Sequence, residues 1–188
     1  MQGNPTPDNA ADPLPRIADG AVLRRLAVSD LPEFQAYRSD SLLARYQDWS
    51  AKSDAEACAF LARMNTAELL QPGAWSQIGI AEPDSSILIG DIGLFLSADG
   101  RQAEIGITLR RQSHGRGIGT AAAREAINLV FERTNAERVL GIADARNIRS
   151  IRLLQRLGMR ILESRDAISR EEPCIDHIYS LSRGHEQA

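Results

Sequence analysis

The sequence has few cysteines and no long apolar run, and each shortage excludes a class of protein. Its two cysteines, Cys58 and Cys174, are too few for a disulfide framework and lack the spacing of metal ligands. We therefore expect no metal site and a reducing, cytoplasmic location. No apolar stretch approaches the ~20 residues of a membrane-spanning helix, and no basic region followed by an apolar one marks the N-terminus. The sequence thus argues against a membrane-embedded or secreted protein.

The sequence also has no excess of basic residues. The chain carries 22 Lys and Arg against 25 Asp and Glu, a formal charge of −3, so no general positive field favours nucleic-acid binding. What remains is the composition of an ordinary globular domain. Four prolines crowd the first 15 residues among Asn, Asp and Gly. We expect a flexible tail over residues 1–18, a single domain over 19–184 and a flexible end at 185–188.

Hydrophobic periodicity predicts an α/β fold. Strand patterns and helix patterns alternate along the chain, and Pro83 lies in a turn that predicts a hairpin between the second and third strands. This order indicates a mixed sheet of antiparallel hairpins with at least one parallel crossover. The predicted strands cover 21–27, 75–82, 85–97, 102–109, 138–144, 159–165 and 174–182, and the predicted helices cover 29–40, 53–70, 117–133 and 147–158.

A glycine-rich turn, SHGRGIGTAAAREA at 113–126, lies between the strand ending at Leu109 and the helix beginning near Gly117. Glycines at alternate positions weaken a helix start but leave bare N–H groups, which together with a helix N-terminus form an anion site. The P-loop and dinucleotide-binding patterns both fail here, because no Gly-Lys-Ser or Gly-Lys-Thr occurs and the glycine spacing differs. A pyrophosphate is the expected ligand, with positive charge from three neighbouring arginines: Arg110, Arg111 and Arg116.

Two segments, EIGITLRRQSHGRGIGTAAAREA at 104–126 and ADARNIRSIRLLQRLGMR at 143–160, resemble the GNAT N-acetyltransferase superfamily, in particular the Rim-type ribosomal-protein N-terminal acetyltransferases. The resemblance extends from about residue 22 to 182. The family's motif, Gln or Arg followed by x-x-Gly-x-Gly or Ala, falls on His114, Gly117 and Gly119. A second element, Asn-x-x-Ser before a helix ending in Leu-Gly-Phe, falls on Asn147, Ser150 and 157–159.

The resemblance implies a GNAT-like fold, with a mostly antiparallel central sheet, helices on both faces and the parallel crossover at the cofactor site. It implies acetyl-CoA as co-substrate and a primary amine as acceptor, foremost the α-amino group of a protein of the ribosomal type. Two alternatives stay open: an acetyltransferase for a small amine such as an antibiotic or polyamine, and a CoA-binding sensor without turnover. The sequence leaves open whether the chain forms a homodimer.

The same resemblance implies which residues bind acetyl-CoA. The pantetheine arm would pair along the strand at Ile107, Thr108 and Leu109, and Asn147 and Ser150 would lie near the thioester. The pyrophosphate would bind the backbone N–H groups of the turn, which belong to His114, Gly115, Arg116, Gly117, Ile118, Gly119 and Thr120.

Two positions depart from the family pattern. His114 replaces the usual Gln or Arg and still offers an N–H donor. Leu154 replaces the tyrosine that many relatives use as general acid, and leucine cannot protonate a thiolate. Ser150 is therefore the first candidate to orient or protonate the sulfur, although Ser or Asn at a helix start is often only a cap.

Acetyl transfer requires a neutral amine, and amines are mostly protonated at neutral pH, so a carboxylate base is expected. Glu104, on the strand that leads into the turn, is the best candidate, and the alternative is an ordinary strand glutamate that faces solvent or forms a salt bridge. Asp91 and Asp144 rank below it as alternative acids. Gly106 permits a strand distortion that would free an N–H for the oxyanion.

Acceptor contacts are expected from the stretch LLARYQDW at 42–49. Tyr46 and Trp49 beside Asp48 suit an amine-bearing substrate through cation–π contact and charge pairing. The alternative is that both rings merely cover the core.

Overall fold

The structure, a computed structural model, describes residues 12–47 and 49–184. Eight strands, five α-helices and two short 3-10 helices, Val28–Asp30 and Arg111–Ser113, make up this part of the chain. The strands are β1 (Arg16–Ala18), β2 (Ala21–Arg24), β3 (Trp75–Ala81), β4 (Leu88–Leu96), β5 (Gln102–Leu109), β6 (Arg138–Asp144), β7 (Arg160–Ser169) and β8 (Glu172–Ser182). The helices are α1 (Leu31–Arg38), α2 (Ser41–Ala44), α3 (Asp54–Thr66), α4 (Ile118–Arg133) and α5 (Ile148–Arg156).

All eight strands form one sheet in the order β1-β2-β3-β4-β5-β6-β8-β7. Within the described residues, β5 and β6 are the parallel pair and every other neighbouring pair is antiparallel. The crossover that joins the parallel pair is the glycine-rich turn followed by α4, as a parallel connection requires. The predicted mixed, mostly antiparallel sheet is confirmed.

Helices cover both faces of the sheet. The larger hydrophobic cluster joins α4 and α5 to one face, where Ala122, Ala126 and Val130 of α4 are fully buried. The smaller cluster joins α1 and α3 to the other face, and Leu61 and Leu88 belong to it. Along β5 the odd-numbered side chains contribute to the α4 cluster, so Glu104 and Gly106 lie on the α1 face. This division puts the turn on one side of the sheet and α1 on the other.

Several predicted boundaries differ from the observed ones: the strand predicted over 21–27 ends at Arg24, and the strand predicted over 159–165 continues to Ser169. Arg16–Ala18 is a strand paired with β2, so these residues, expected in the N-terminal tail, belong to the sheet; residues 1–11 lie outside the described part. The helix predicted over 53–70 ends at Thr66, where Ala67 takes a non-helical conformation. Its start is as expected: Ser53 and Glu56 form a capping box. In the described ranges, no helix has the length and apolarity to cross a bilayer.

Candidate active site

The sheet splits between its two parallel strands. β5 and β6 pair only over three positions, the last of them Glu104 with Leu140, although β5 continues to Leu109 and β6 to Asp144. β5 nevertheless stays paired with β4 along this whole length. A gap therefore opens in the middle of the sheet, on the β6 side of β5.

Backbone groups of β5 line this gap. Ser97 N–H donates to the Gln102 carbonyl and Arg110 N–H donates to the Ile89 carbonyl, both at 2.8 Å, so even-numbered residues of β5 direct their backbone groups to β4. Odd-numbered residues direct theirs to the opposite side. Beyond the last pair with β6, the N–H groups of Ile107 and Leu109 consequently face the gap. Thr108, which pairs with Asp91, directs its backbone groups to β4 instead.

The turn at the end of β5 presents a row of amides. Among the residues that the structure describes, the N–H groups of 115–119 donate no hydrogen bond, whereas those of His114 and Thr120 bond to the carbonyls of Arg111 and Gly117. Gly117 is the N-cap of α4 and has no side chain to cap it. The backbone N–H groups available to an anion are thus those of 115–119 and not the whole expected run from 114 to 120. They lie at the N-terminus of a 16-residue helix.

The three glycines of this turn are required for two different structural reasons. Gly115 and Gly117 have φ of +75° and +80°, which is the left-handed region, and an added Cβ on either would meet no atom within 4 Å. Gly119 instead permits close packing, since its Cβ would lie 3.3 Å from Leu153 of α5. The first two glycines leave an exposed concave surface, and the third brings α4 against α5.

The His114 side chain connects the turn to the end of β5 and to α5. Its Nε2 lies 2.7 Å from the Leu109 carbonyl, so the ring donates that bond, and its Nδ1 lies 3.3 Å from a guanidinium nitrogen of Arg149. Because its backbone N–H is also bonded, His114 fixes the end of β5 instead of offering a free donor to an anion. The expectation of a donor at this position therefore needs correction. Arg149 contributes a positive charge here that the sequence pattern did not indicate.

The three arginines expected around the turn differ in their surroundings. Arg110 forms an ion pair with Glu82 and a bond to Ser113 Oγ, so its charge is neutralised locally. Arg111 has a longer contact, 3.8 Å, with Asp40. Arg116 is exposed and forms no salt bridge within the described residues. Of these three, Arg111 and Arg116 are accordingly the ones that can meet an anion, together with Arg149.

The start of α5 lies beside the gap, on the α4 face. Asn147 caps this helix, its Oδ1 accepting the Ser150 N–H at 3.2 Å, so it has the structural role that is common at a helix start. The Ser150 hydroxyl forms no hydrogen bond with the described residues and is half-buried. One turn further, Leu154 is 4% exposed and packs on Gly141 of β6, where a Cβ would overlap it. Leu154 is thus a packing residue between α5 and β6.

Glu104 lies at the point where β5 and β6 part, on the α1 face and half-buried. Gly106, two residues on, is exposed, and no atom lies within 4 Å of where its Cβ would be. The β4–β5 register runs unbroken from Gly90–Leu109 to Leu96–Ala103, so the distortion expected at Gly106 is absent. The divergence from β6, rather than a bulge, leaves backbone N–H groups available.

The two alternative acids are both held by arginine. Asp91 is 1% exposed and accepts bonds from Arg38 at 2.7 Å and Tyr37 Oη at 2.5 Å. Burial and the Asp91 charge raise the pKa of Tyr37 well above its usual value. Asp144 pairs with Arg146 at 2.7 Å, and this hydrogen bond lowers the pKa of Asp144. Both carboxylates are structural anions in this arrangement.

Trp49 and Tyr46, which were expected to bind the acceptor, instead contact arginine side chains of this chain. Trp49 stacks on Arg38, whose Cζ lies 4.2 Å from the ring centroid, and Trp49 Nε1 is buried without a partner in the described residues. Tyr46 lies between Arg45 and Arg146, at 5.3 and 5.9 Å. The geometry favours the alternative in which Trp49 covers the core. Asp48 lies outside the described residues.

Sequence reasoning missed an aromatic pair at the edge of the same face. Trp75 and Phe95 are register partners on β3 and β4, and Phe95 in turn pairs with Glu104. Only the strand register brings these positions together, and the sequence offered no signal beyond an aromatic residue in each strand. In the described ranges, no three His, Cys, Asp or Glu side chains are arranged as in a metal site.

Comparison with known proteins identifies the class. The sequence model of the acetyltransferase (GNAT) domain matches residues 21–160, and the chain belongs to this family. It is therefore an acyltransferase. An N-acetyltransferase of Bacillus licheniformis called p20, itself uncharacterized, is 24% identical over 140 residues, covering 74% of this chain and 78% of p20.

Solved structures share the fold. A GNAT-family acetyltransferase from Bacillus anthracis superposes with a TM-score of 0.79 at 18% identity, covering 90% of this chain and 98% of that one. RimL, a ribosomal L7/L12 α-N-protein acetyltransferase in complex with coenzyme A, superposes with a TM-score of 0.77 at 16% identity, covering 89% and 96%. At these identities the likeness concerns the fold.

Proposed function

We propose that the protein transfers an acetyl group from acetyl-CoA to the α-amino group of a protein, as enzymes of the Rim type do. One observation carries this proposal. The split between β5 and β6 connects a turn of five unsatisfied amides to open space over Gly106, and Glu104 stands beside that space. A donor and an acceptor can thus approach one point from the two sides of the sheet.

The donor side fits a coenzyme with a diphosphate. The amides of 115–119 and the N-terminus of α4 provide donors and positive potential for it, and Arg116 adds charge. The Ile107 carbonyl and the Leu109 N–H, which face the gap, suit the amides of a pantetheine arm, which can pair with a strand edge and leaves the Ile107 N–H available. Acetyl-CoA bound here supplies an activated thioester.

The chemistry then depends on three groups of this chain. Glu104 accepts a proton from the incoming ammonium and later releases it to solvent, and the neutral amine attacks the thioester carbon to form the C–N bond while the Ile107 N–H stabilises the oxyanion. The C–S bond then breaks, the Ser150 hydroxyl donates a hydrogen bond to the departing thiolate, and the second amine proton passes to the sulfur. The hydrogen bond to the thiolate falls to Ser150 because Leu154 has no proton to give. Each role requires movement of one proton or one hydrogen bond, and none requires a metal ion.

Charge balance favours an acceptor with a single amino group. Two carboxylates on the α1 face are paired with arginines, Asp91 with Arg38 and Asp144 with Arg146. A polyamine or an aminoglycoside needs a strongly acidic pocket, whereas one ammonium needs only one carboxylate. The resemblance to the Rim type and the RimL fold neighbour are consistent with a protein N-terminus.

The test uses the full-length protein, acetyl-CoA and tetrapeptides that contain one internal lysine. Free thiol is measured, and fragmentation mass spectrometry locates the acetyl group. We expect acetylation at the α-amino group of free peptides and none on N-terminally blocked ones. Acetylation of spermidine or kanamycin alone would replace the proposal with the small-amine alternative, and CoA binding without thiol release from any amine would replace it with the sensor.

Variants separate the proposed roles. Glu104→Gln should lower kcat/KM about 100-fold at pH 7, with a smaller loss above pH ~8.5, where an α-amino group with a pKa near 8 is already neutral. Glu137→Gln is the matched control, since that side chain is 66% exposed on the surface. A loss independent of pH would assign Glu104 a structural role. Ser150→Ala should lower kcat and leave the affinity for CoA unchanged.

A further inference from the structure

The aromatic pair of Trp75 and Phe95 lies on the face of the sheet that the acceptor approaches. Trp75 is the first residue of β3 and remains 51% exposed, which is uncommon for so large an apolar ring. The two ring centroids lie 5.4 Å apart with a 38° angle between the planes. The pair thus offers aromatic surface to solvent next to the candidate site.

Two glycines shape the surface between this pair and β5. A Cβ on Gly93 would lie 3.2 Å from Cζ3 of Trp75, so the indole lies close over β4 at the position without a side chain. Gly93 pairs with Gly106, whose own Cβ direction is empty to 4 Å. The Trp75 indole therefore covers Gly93, and the surface beside it over Gly106, in the middle of β5, carries no side chain.

This open surface over Gly106 ends at the proposed reaction centre. Glu104 pairs with Phe95 and shares a face with Gly106, and the strands part immediately beyond it. Aromatic surface, a carboxylate and the edge of the gap are consequently continuous on one side of the sheet. By contrast, the rings of Trp49 and Tyr46 are stacked by arginines of the protein itself.

From this arrangement we infer that Trp75 and Phe95 form the acceptor subsite and select an amine that carries a flat, apolar or aromatic group close to its nitrogen. That group packs on the Trp75 ring while the ammonium points toward Glu104. An exposed indole favours such groups, because offset stacking adds to the burial of apolar area. The inference rests on the proposed transfer to an amine and specifies which amine the site prefers.

The first experiment compares acceptor kinetics. The substrates are the peptides Phe-Ala-Ala-Ala and Ala-Ala-Ala-Ala and the amines 2-phenylethylamine and butylamine. In wild type we expect a KM at least tenfold lower for the aromatic member of each pair. Trp75→Ala should remove this preference by raising the KM of the aromatic member, with the KM for acetyl-CoA unchanged, and Trp75→Phe should restore most of it. Ile168→Ala, at a residue 79% exposed on β7, is the control and should retain the wild-type preference.

A second readout does not depend on turnover. The chain contains two tryptophans, so Trp49→Phe leaves Trp75 as the single fluorophore. Adding 2-phenylethylamine to this variant with CoA should shift the emission to shorter wavelength, and butylamine should shift it less. An unshifted spectrum overturns the subsite, whether or not acetylation occurs.

The outcomes distinguish the subsite from the proposed function. Peptide acetylation with equal KM values in wild type and Trp75→Ala rejects the subsite and leaves the proposed function standing. Acetylation of 2-phenylethylamine but of no peptide, with dependence on Trp75, supports the subsite and rejects the protein N-terminus as acceptor.

Discussion

Replacing Gly117 by alanine tests the amide turn most sharply. Gly117 has φ of +80°, and a residue with a side chain pays about 1–2 kcal/mol in this conformation. No atom lies within 4 Å of the added Cβ, so the fold should accommodate it. For a chain of this size, a loss of about 1 kcal/mol lowers the melting temperature by roughly 2–4 °C.

The effect on CoA binding should be larger than the effect on stability. The Cβ would occupy the open surface in front of the amides, and a hydrogen bond to a charged group is worth about 1.5–3 kcal/mol. Losing one such bond weakens binding by roughly 10- to 150-fold. Isothermal titration with CoA measures this loss, and thermal unfolding followed by circular dichroism measures stability.

Gly100→Ala provides the matched control. Gly100 also has a positive φ, +70°, and open space around its Cβ, but it lies in the β4–β5 turn at the opposite end of β5. The two variants should lose similar stability, and only Gly117→Ala should lose affinity for CoA. Unchanged CoA affinity in Gly117→Ala would refute the assignment of these amides to the diphosphate.

Three further predictions concern stability. Asp91→Ala leaves the buried Arg38 charge unpaired and should lower the free energy of unfolding in urea by about 3–5 kcal/mol; a loss below about 1 kcal/mol would contradict the buried pair. The pKa of Asp144 is lowered by Arg146, so its contribution is present above the usual value of 3.8 and is lost as the pH falls through the lower folded value. Asp144→Asn should therefore be less stable than wild type at pH 7, with the difference vanishing in acid, and a constant difference would refute this. Ser53→Ala removes a helix cap and should cost about 1 kcal/mol in urea unfolding.

Local patterns in the sequence predicted much of the sheet. The strands over 102–109 and 138–144 are confirmed to the residue, because alternation along β5 and a compact apolar run in β6 are strong local signals. Strand β1 was not predicted, because its three residues lie beside two prolines and are too few to show a hydrophobic periodicity. Only their pairing with β2 makes them a strand. The first strand therefore depends on tertiary context.

The candidate site was accessible to sequence reasoning only in part. Glycines at 115 and 117 act through the local backbone, so their spacing pointed to the turn directly. The pairing of Arg38 with Asp91 and the meeting of Trp75 with Phe95 depend on packing and register between distant segments. The short β5–β6 pairing is likewise invisible in sequence, since both strands have full strand patterns. That split, not a bulge at Gly106, exposes the strand edge.

In the proposed complex, the amides of 115–119 hold the diphosphate of CoA while the edge of β5 pairs with the pantetheine arm. Amide NMR spectra of the labelled protein test both contacts directly, with ADP and CoA added in turn. We expect both ligands to shift the resonances of 115–119 and only CoA also to shift those of Ile107 and Leu109. CoA binding that leaves the amides of 115–119 unshifted would contradict the proposed site.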